Sequence, residues 1–171
     1  KAFKADYKID ENGSLILHNS ESTRKALIKY LDALRVWMNT ISNNLANIET
    51  TCADVEERNG YKFYKPYTRK TISIKDDGSI SIVNDASEYR KEWDPDHVHS
   101  VKDPNAKDFG YVFYPDVNPL IEKVNMQTAC KRYNLITNVL VRFDSSIVFE
   151  QVSPDDFLSI QSTLQYRMHL E

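Results

Sequence analysis

The side chains of this 171-residue chain that could do chemistry fall into three groups. Asp94, Asp96, His97 and His99 lie close together, and carboxylate oxygens with imidazole nitrogens are zinc ligands. Asp-Pro-Asp is also turn composition, and the spacing matches no established ligand pattern. A solvated loop without metal is the expectation. Cys52 and Cys130 with His18, His97, His99 and His169 could supply a nucleophile and its base. No signature sequence flanks either cysteine, and Cys130 falls between Ala129 and Tyr133, where a thiol is expected to be a small core residue. There is no CxxC or Cys/His metal spacing, and the two isolated cysteines are expected to be unbridged. Third, Tyr61, Phe63, Tyr64 and Tyr67 interleave with Lys62, Lys65, Arg69 and Lys70. Aromatic platforms beside basic residues hold single-stranded nucleic acid. The competing reading is a twisted hairpin with aromatic cross-strand pairs and a basic edge.

Composition favours the blander reading of each group. With 22 basic and 25 acidic residues the net charge is −3, so no global field draws in nucleic acid or an anionic membrane. Only four glycines are present, which disfavours phosphate-cradling loops; Gly13, Gly60, Gly78 and Gly110 each look like turns. No apolar run reaches the roughly 18–20 residues of a membrane span. Lys1-Ala2-Phe3-Lys4 does not lead into an apolar signal-peptide stretch, so no cleaved signal is visible, and the chain begins without Met. The expectation is a protein that is not an enzyme, binds no cofactor or metal, and neither engages nucleic acid nor inserts in membrane.

Leu27, Leu31, Leu34, Met38, Ile41, Leu45 and Ile48 recur at spacings of four and three, an a/d seam that asks for another helix. Met126, Ala129, Tyr133, Ile136, Leu140, Phe143 and Ile147 repeat the rhythm. Helices are predicted from Thr23 to about Ile48 and from about Asn118 to Glu150. Between them, Asn59-Gly60 and Asp76-Asp77-Gly78 are turn signals around the β-rich run from Tyr61 to Val83. Residues 84–110 read as irregular, and Gly110 to Tyr114 as a short strand. The first residues, 3–18, read as a hairpin turning at Asp10-Glu11-Asn12-Gly13. Ser153-Pro154-Asp155-Asp156 starts a capped third helix with Phe157, Ile160, Leu164 and Met168 as its stripe. The fold class expected is α+β: long N- and C-terminal helices paired as a coiled coil, with a small β-rich domain inserted. Its parts are an N-terminal hairpin (1–20), a discontinuous helical domain (21–51 and 116–150), the β-rich domain (52–115) and a C-terminal helical extension (151–171).

Ser42-Asn43-Asn44-Leu45-Ala46-Asn47 resembles the S-N-N-L-A-N core that ends the first helix of bacterial flagellar rod and hook axial proteins. Pro66-Tyr67-Thr68-Arg69-Lys70 resembles the P-Y-x-R-K strand of the proximal-rod members. Asp94-Pro95-Asp96-His97 and the run from Gly110 to Asn118 resemble their D-P-x-H-P and G-Y-V-x-x-P-N-V segments. Val98 stands for the usual Pro, and Asp116 for the usual Asn. Glu122, Val124, Met126, Ala129, Arg132 and Tyr133 continue the likeness, with Lys123 where a Met is usual. The resemblance covers about residues 26–143. It implies a structural subunit of the flagellar basal-body proximal rod, assembled in the periplasm into a helical drive-shaft tube. It also implies passage through the flagellar type III export apparatus without a cleaved signal. The partners implied are other copies of the chain and other rod proteins. The assembly surface is expected at Leu27, Leu31, Leu34, Met38, Ile41, Asn43, Asn44, Leu45, Ala46, Asn47 and Ile48, with Met126, Ala129, Tyr133, Ile136 and Leu140. Asn43, Asn44 and Asn47 lie off the seam and are expected to face neighbouring subunits or to cap the helix. The alternatives are a nucleic-acid-binding module centred on residues 61–70 and a rod-like subunit of another secretion apparatus.

Overall fold

The structure, a computed structural model, describes residues 7–13, 15–17, 21–76, 79–143 and 153–155. Two antiparallel helices, α1 (Glu21–Ala46) and α2 (Pro119–Phe143), enclose the main apolar core. Leu27, Leu31, Leu34, Met38 and Ile41 of α1 close on Met126, Ala129, Cys130, Tyr133 and Leu140 of α2. Burying each large side chain contributes roughly 1.5–3 kcal/mol. Polar contacts fix the alignment. Arg35 Nη2 donates to the Tyr133 hydroxyl at 2.9 Å, and Cys130 Sγ sits 3.6 Å from Met38 Sδ. Nearer the open end, Arg24 reaches the Phe143 carbonyl at 3.4 Å.

α2 begins where its sequence says it should. Asn118 is the cap, its Oδ1 accepting the Leu120 N–H at 3.0 Å, and Pro119 fills the first helical position, where no N–H is needed. At the end of α1, Asn47 returns both its backbone N–H (3.1 Å) and its side-chain Nδ2 (2.8 Å) to the Asn43 carbonyl. That satisfies one of the carbonyls a helix end leaves open.

Among the described residues, eight short strands form four separate antiparallel hairpins: β1 (Tyr7–Ile9) with β2 (Leu15–Leu17), β3 (Asp54–Arg58) with β4 (Tyr61–Lys65), β5 (Lys70–Ile74) with β6 (Ile80–Asn84), and β7 (Arg90–Trp93) with β8 (Tyr111–Tyr114). The β3–β4 loop is Asn59-Gly60, with φ of +53° and +80°. Two consecutive positive φ values are what a tight two-residue hairpin of the native twist requires. The hairpins are joined by side chains. Phe113 of β8 receives Phe63 of β4 at 5.5 Å between centroids, and Tyr89 approaches it from a second side at 6.5 Å. The segment between β7 and β8 folds back so that Val101 exchanges backbone bonds with Gly110 and Tyr111, each 2.9 Å.

The expected fold class needs correction in two respects. The strands do not form one inserted sheet; among the described residues they are small two-stranded antiparallel hairpins. The charged strands β3 (DVEER) and β7 (RKEW) hide their extended character from pattern reading. Nor is the helix pair established as a coiled coil. α1 ends at Ala46, leaving Ile48 in the following turn. On α2, Cys130 and Thr137 are buried whereas Ile136 and Phe143 are only partly so. Near the end of α1 the buried face widens to Thr40, Ile41, Ser42 and Asn44, beyond an a/d stripe. There β5 packs on the helix as well as α2. Ile147, the Asp77–Gly78 turn and the third helix beyond Asp155 lie outside the described residues.

Candidate functional site

Beneath the helix pair, three segments far apart in sequence meet in one polar junction. Asn44, on the last turn of α1, is 1% exposed. Its Nδ2 donates to the Lys70 carbonyl at 2.8 Å, and its Oδ1 accepts the Lys70 N–H at 2.9 Å. One side-chain amide thus does for β5 what a neighbouring strand would do, satisfying both backbone groups of one residue. The Tyr67 hydroxyl donates to the same Oδ1 at 2.9 Å. Burial, with the Glu122 charge nearby, pushes that phenol up to about 12.

Arg69 completes the junction. Its Nε donates to Glu122 Oε1, and its Nη1 to Asp85 Oδ2 at 2.7 Å. Glu122 is fully buried in the first turn of α2, where the helix N-terminus favours a carboxylate. Its second oxygen has no hydrogen-bond partner among the described residues. Burial alone would lower the Arg69 value, but the bonds to Glu122 and Asp85 outweigh it and the value is raised. The hydrogen bond from Arg69, with its charge, holds the Asp85 carboxyl below its ordinary 3.8. The group therefore ties the β5–β6 hairpin to α1 through the Asn44 amide and to α2 through the wholly buried Glu122 carboxylate, while Arg69 and Asp85 remain partly exposed.

A second cluster anchors the turn after α1. His99 Nδ1 lies 2.7 Å from Thr51 Oγ1, and its ring packs on Tyr64 at 4.7 Å. His97 Nδ1 accepts the His99 backbone N–H at 3.0 Å. Burial, and then the neighbouring His97, lowers the His99 pKa below 6.5. The Nδ1 atoms of both rings are occupied within the chain, and the described residues contain no group of three or more His, Cys, Asp or Glu able to hold a metal ion.

The aromatic and basic run from Tyr61 to Lys70 is also largely engaged internally. Phe63 packs on Phe113 under the Arg58 guanidinium, which lies 3.6 Å from its ring centroid. Lys65 pairs with Glu56 at 2.8 Å, and Lys70 Nζ donates to Asn84 at 2.8 Å. Tyr67 and Arg69 belong to the junction. Both cysteines are free thiols, and burial pushes that of Cys130 up. No described helix is long and apolar enough to cross a membrane.

The residues expected at an assembly surface divide cleanly. Leu27, Leu31, Leu34, Met38, Ile41, Met126, Ala129, Tyr133 and Leu140 are buried between the chain's own helices. Leu45 and Ile136 are partly buried against them. Asn44 is spent inside the junction, Asn47 and Ile48 are half-buried in the turn after α1, and Asn43 and Ala46 face outward. Asp85 and the Thr51–His99 link went unnoticed in the sequence. Asp85 lies in a polar stretch without pattern, and both are contacts between residues distant in sequence.

The junction's geometry gives meaning to the sequence likeness, because Asn44, Tyr67, Arg69, Lys70 and Glu122 all lie in the segments that carry it. No family model matches the chain. Among curated proteins, the flagellar basal-body rod protein FlgC of Bacillus subtilis (strain 168) is 33% identical over 125 residues, covering 60% of this chain and 77% of that protein. Its namesake from Buchnera aphidicola subsp. Acyrthosiphon pisum (strain APS) is 31% identical over 121 residues, covering 65% and 80%. That of Aquifex aeolicus (strain VF5) is 29% identical over 107 residues, covering 59% and 72%. The chain belongs to the FlgC family of flagellar basal-body rod proteins, which are structural subunits.

Proposed function

We propose that this chain is built into the proximal part of the flagellar basal-body rod, packed beside copies of itself and other rod proteins in a helical tube that passes torque without chemistry of its own. The observation that carries the reading is the junction. The segments shared in sequence with the rod proteins converge on one set of buried contacts that locks the β5–β6 hairpin to both helices. A subunit that transmits torque needs such a rigid link between its parts. The outward residues Asn43 and Ala46 of α1, and the exposed face of α2, remain available to neighbours. The buried seam residues contribute by fixing the helix pair that presents them. The rod's position implies a periplasmic location, reached through the flagellar type III export apparatus without a cleaved signal.

Electron microscopy of isolated basal bodies tests this. Density for α1 and α2 paired in the rod wall, with the β3–β8 hairpins beside them, is expected. Absence of the chain from purified basal bodies overturns the reading.

A further inference from the structure

α2 is apolar on two sides. Turning 100° per residue, Leu120, Val124 and Leu135 fall opposite the buried Met126, Ala129, Tyr133 and Leu140. They are 72%, 59% and 62% exposed. Around this outer stripe every exposed charge of α2 is basic: Lys123, Lys131, Arg132 and Arg142. The one acid of the helix, Glu122, is buried.

A surface of the opposite character lies at the β7–β8 hairpin and the loop that follows β7. Trp93 and Val98 are 60% and 68% exposed. Of the acids nearby, Asp94 and Asp96 are exposed; Glu92, next to Trp93 in β7 and so on the other face of the strand, pairs with Arg90 at 3.3 Å. The nearby lysines are turned to acceptors of their own chain: Lys91 to Asp108 at 2.7 Å, and Lys102 to the Pro95 carbonyl at 2.7 Å. The division extends to the wider molecule. α1 and α2 together carry eight basic and three acidic residues, whereas residues 47–118 carry ten and fourteen.

We propose that these two surfaces are the two halves of one contact between copies of this chain, with the apolar-basic stripe of α2 seated on the apolar-acidic patch around Trp93 and Val98 of the next copy. Both surfaces are exposed on the same molecule, so the contact joins different molecules. The surfaces differ, so the contact is head-to-tail and propagates rather than closing as a symmetric dimer. Apolar residues within each charged frame supply the buried centre, and the opposed charges orient it and make it sensitive to salt. The proposal rests on the rod reading for its setting but not for its geometry.

The test is sedimentation velocity on the full chain. Wild type is expected to associate at low salt and to weaken roughly tenfold as salt screens the charges. Val124→Glu/Leu135→Glu, which spoils the stripe, and Asp96→Lys/Val98→Lys, which spoils the patch, are each expected to be monomeric with unchanged circular dichroism. Mixed, they retain one good stripe and one good patch between them, so a 1:1 dimer and nothing larger is expected. A mixture that stays monomeric, a variant that associates like wild type, or wild type that never associates overturns the proposal. Should a double variant lose its fold, Lys131→Glu and Asp96→Lys, both at exposed charges, serve in the same mixing experiment. Basal bodies separate the two claims. Normal incorporation of both variants removes this contact and leaves the rod reading standing. A 1:1 dimer from a chain absent from basal bodies does the reverse.

Discussion

Asn43 and Asn44 are neighbours of the same type with opposite surroundings, one outward and one at the centre of the junction. Removing the Asn44 amide strands the Lys70 N–H and carbonyl and the Tyr67 hydroxyl, and a buried polar group left unmatched costs about 1–3 kcal/mol. Asn44→Ala is therefore expected to lower the urea midpoint by an amount in that range, while Asn43→Ala stays within about 0.5 kcal/mol of wild type, as exposed substitutions do. Equal losses from both would dissolve the distinction. Gly110 is equally specific. Its φ is +82°, and a Cβ there would meet the Trp93 ring at 2.5 Å. Gly110→Ala is expected to cost at least about 1–3 kcal/mol, the usual penalty of a strained backbone, and to shift the Trp93 fluorescence. An unshifted spectrum would mean that the ring does not rest on the glycine. Little of this was readable beforehand. Off-seam position and type do not separate Asn43 from Asn44; only the arrival of β5 beside α1 does.

At the scale of elements, ion pairs and caps do what the short hairpins cannot do alone, since an isolated two-stranded ribbon is marginal in water. Arg69 holds the β5–β6 hairpin to α2 by neutralising a carboxylate that is wholly buried. Arg69→Ala leaves that charge unpaired and is expected to cost about 3 kcal/mol. Adding Glu122→Gln, which removes the charge, should return part of the loss; a double variant weaker than Arg69→Ala alone would overturn this account. The link between the turn after α1 and the 94–110 segment responds to acid. His99 is held neutral in the fold, with its pKa below 6.5. The unfolded chain therefore takes up the proton first as pH falls. The stability due to neutral His99 is fully present above pH 6.5 and is lost as pH drops below that value and through the lower folded pKa. Urea unfolding at neutral pH and at about pH 5.5 should show the loss, and His99→Gln should shrink it. An undiminished loss in the variant would assign it to other groups. The helices, the turn at Asn59-Gly60 and the strand at Tyr111 were legible from spacing and turn chemistry. β3 and β7 were not, because their polar side chains leave no alternation where both faces of a hairpin are partly wet.

For the molecule as a whole, the heptad spacing identified the two helices but not the manner of their pairing. Apolar seams report that a helix wants a partner; they do not report that a strand, β5, will crowd one end where the buried face widens to Thr40, Ser42 and Asn44. Nor could the seam separate a surface for neighbours from a core within the chain, and most of its residues are consumed by the chain's own helix pair. Sequence spacing also decides the order in which the parts can close. Each hairpin is made of residues close along the chain, so it can form within microseconds of its strands being free. The helix core and junction are different: Met38 meets Cys130 across 92 positions, and Arg69 meets Glu122 across 53. Closing such wide loops is the slow part of folding. A chain emerging from its N-terminus therefore presents α1 with its apolar seam uncovered until the last third arrives. During that interval any helix of matching surface can take the place of α2, including the α2 of a second molecule, so the topology leaves this protein open to exchange of helices between copies.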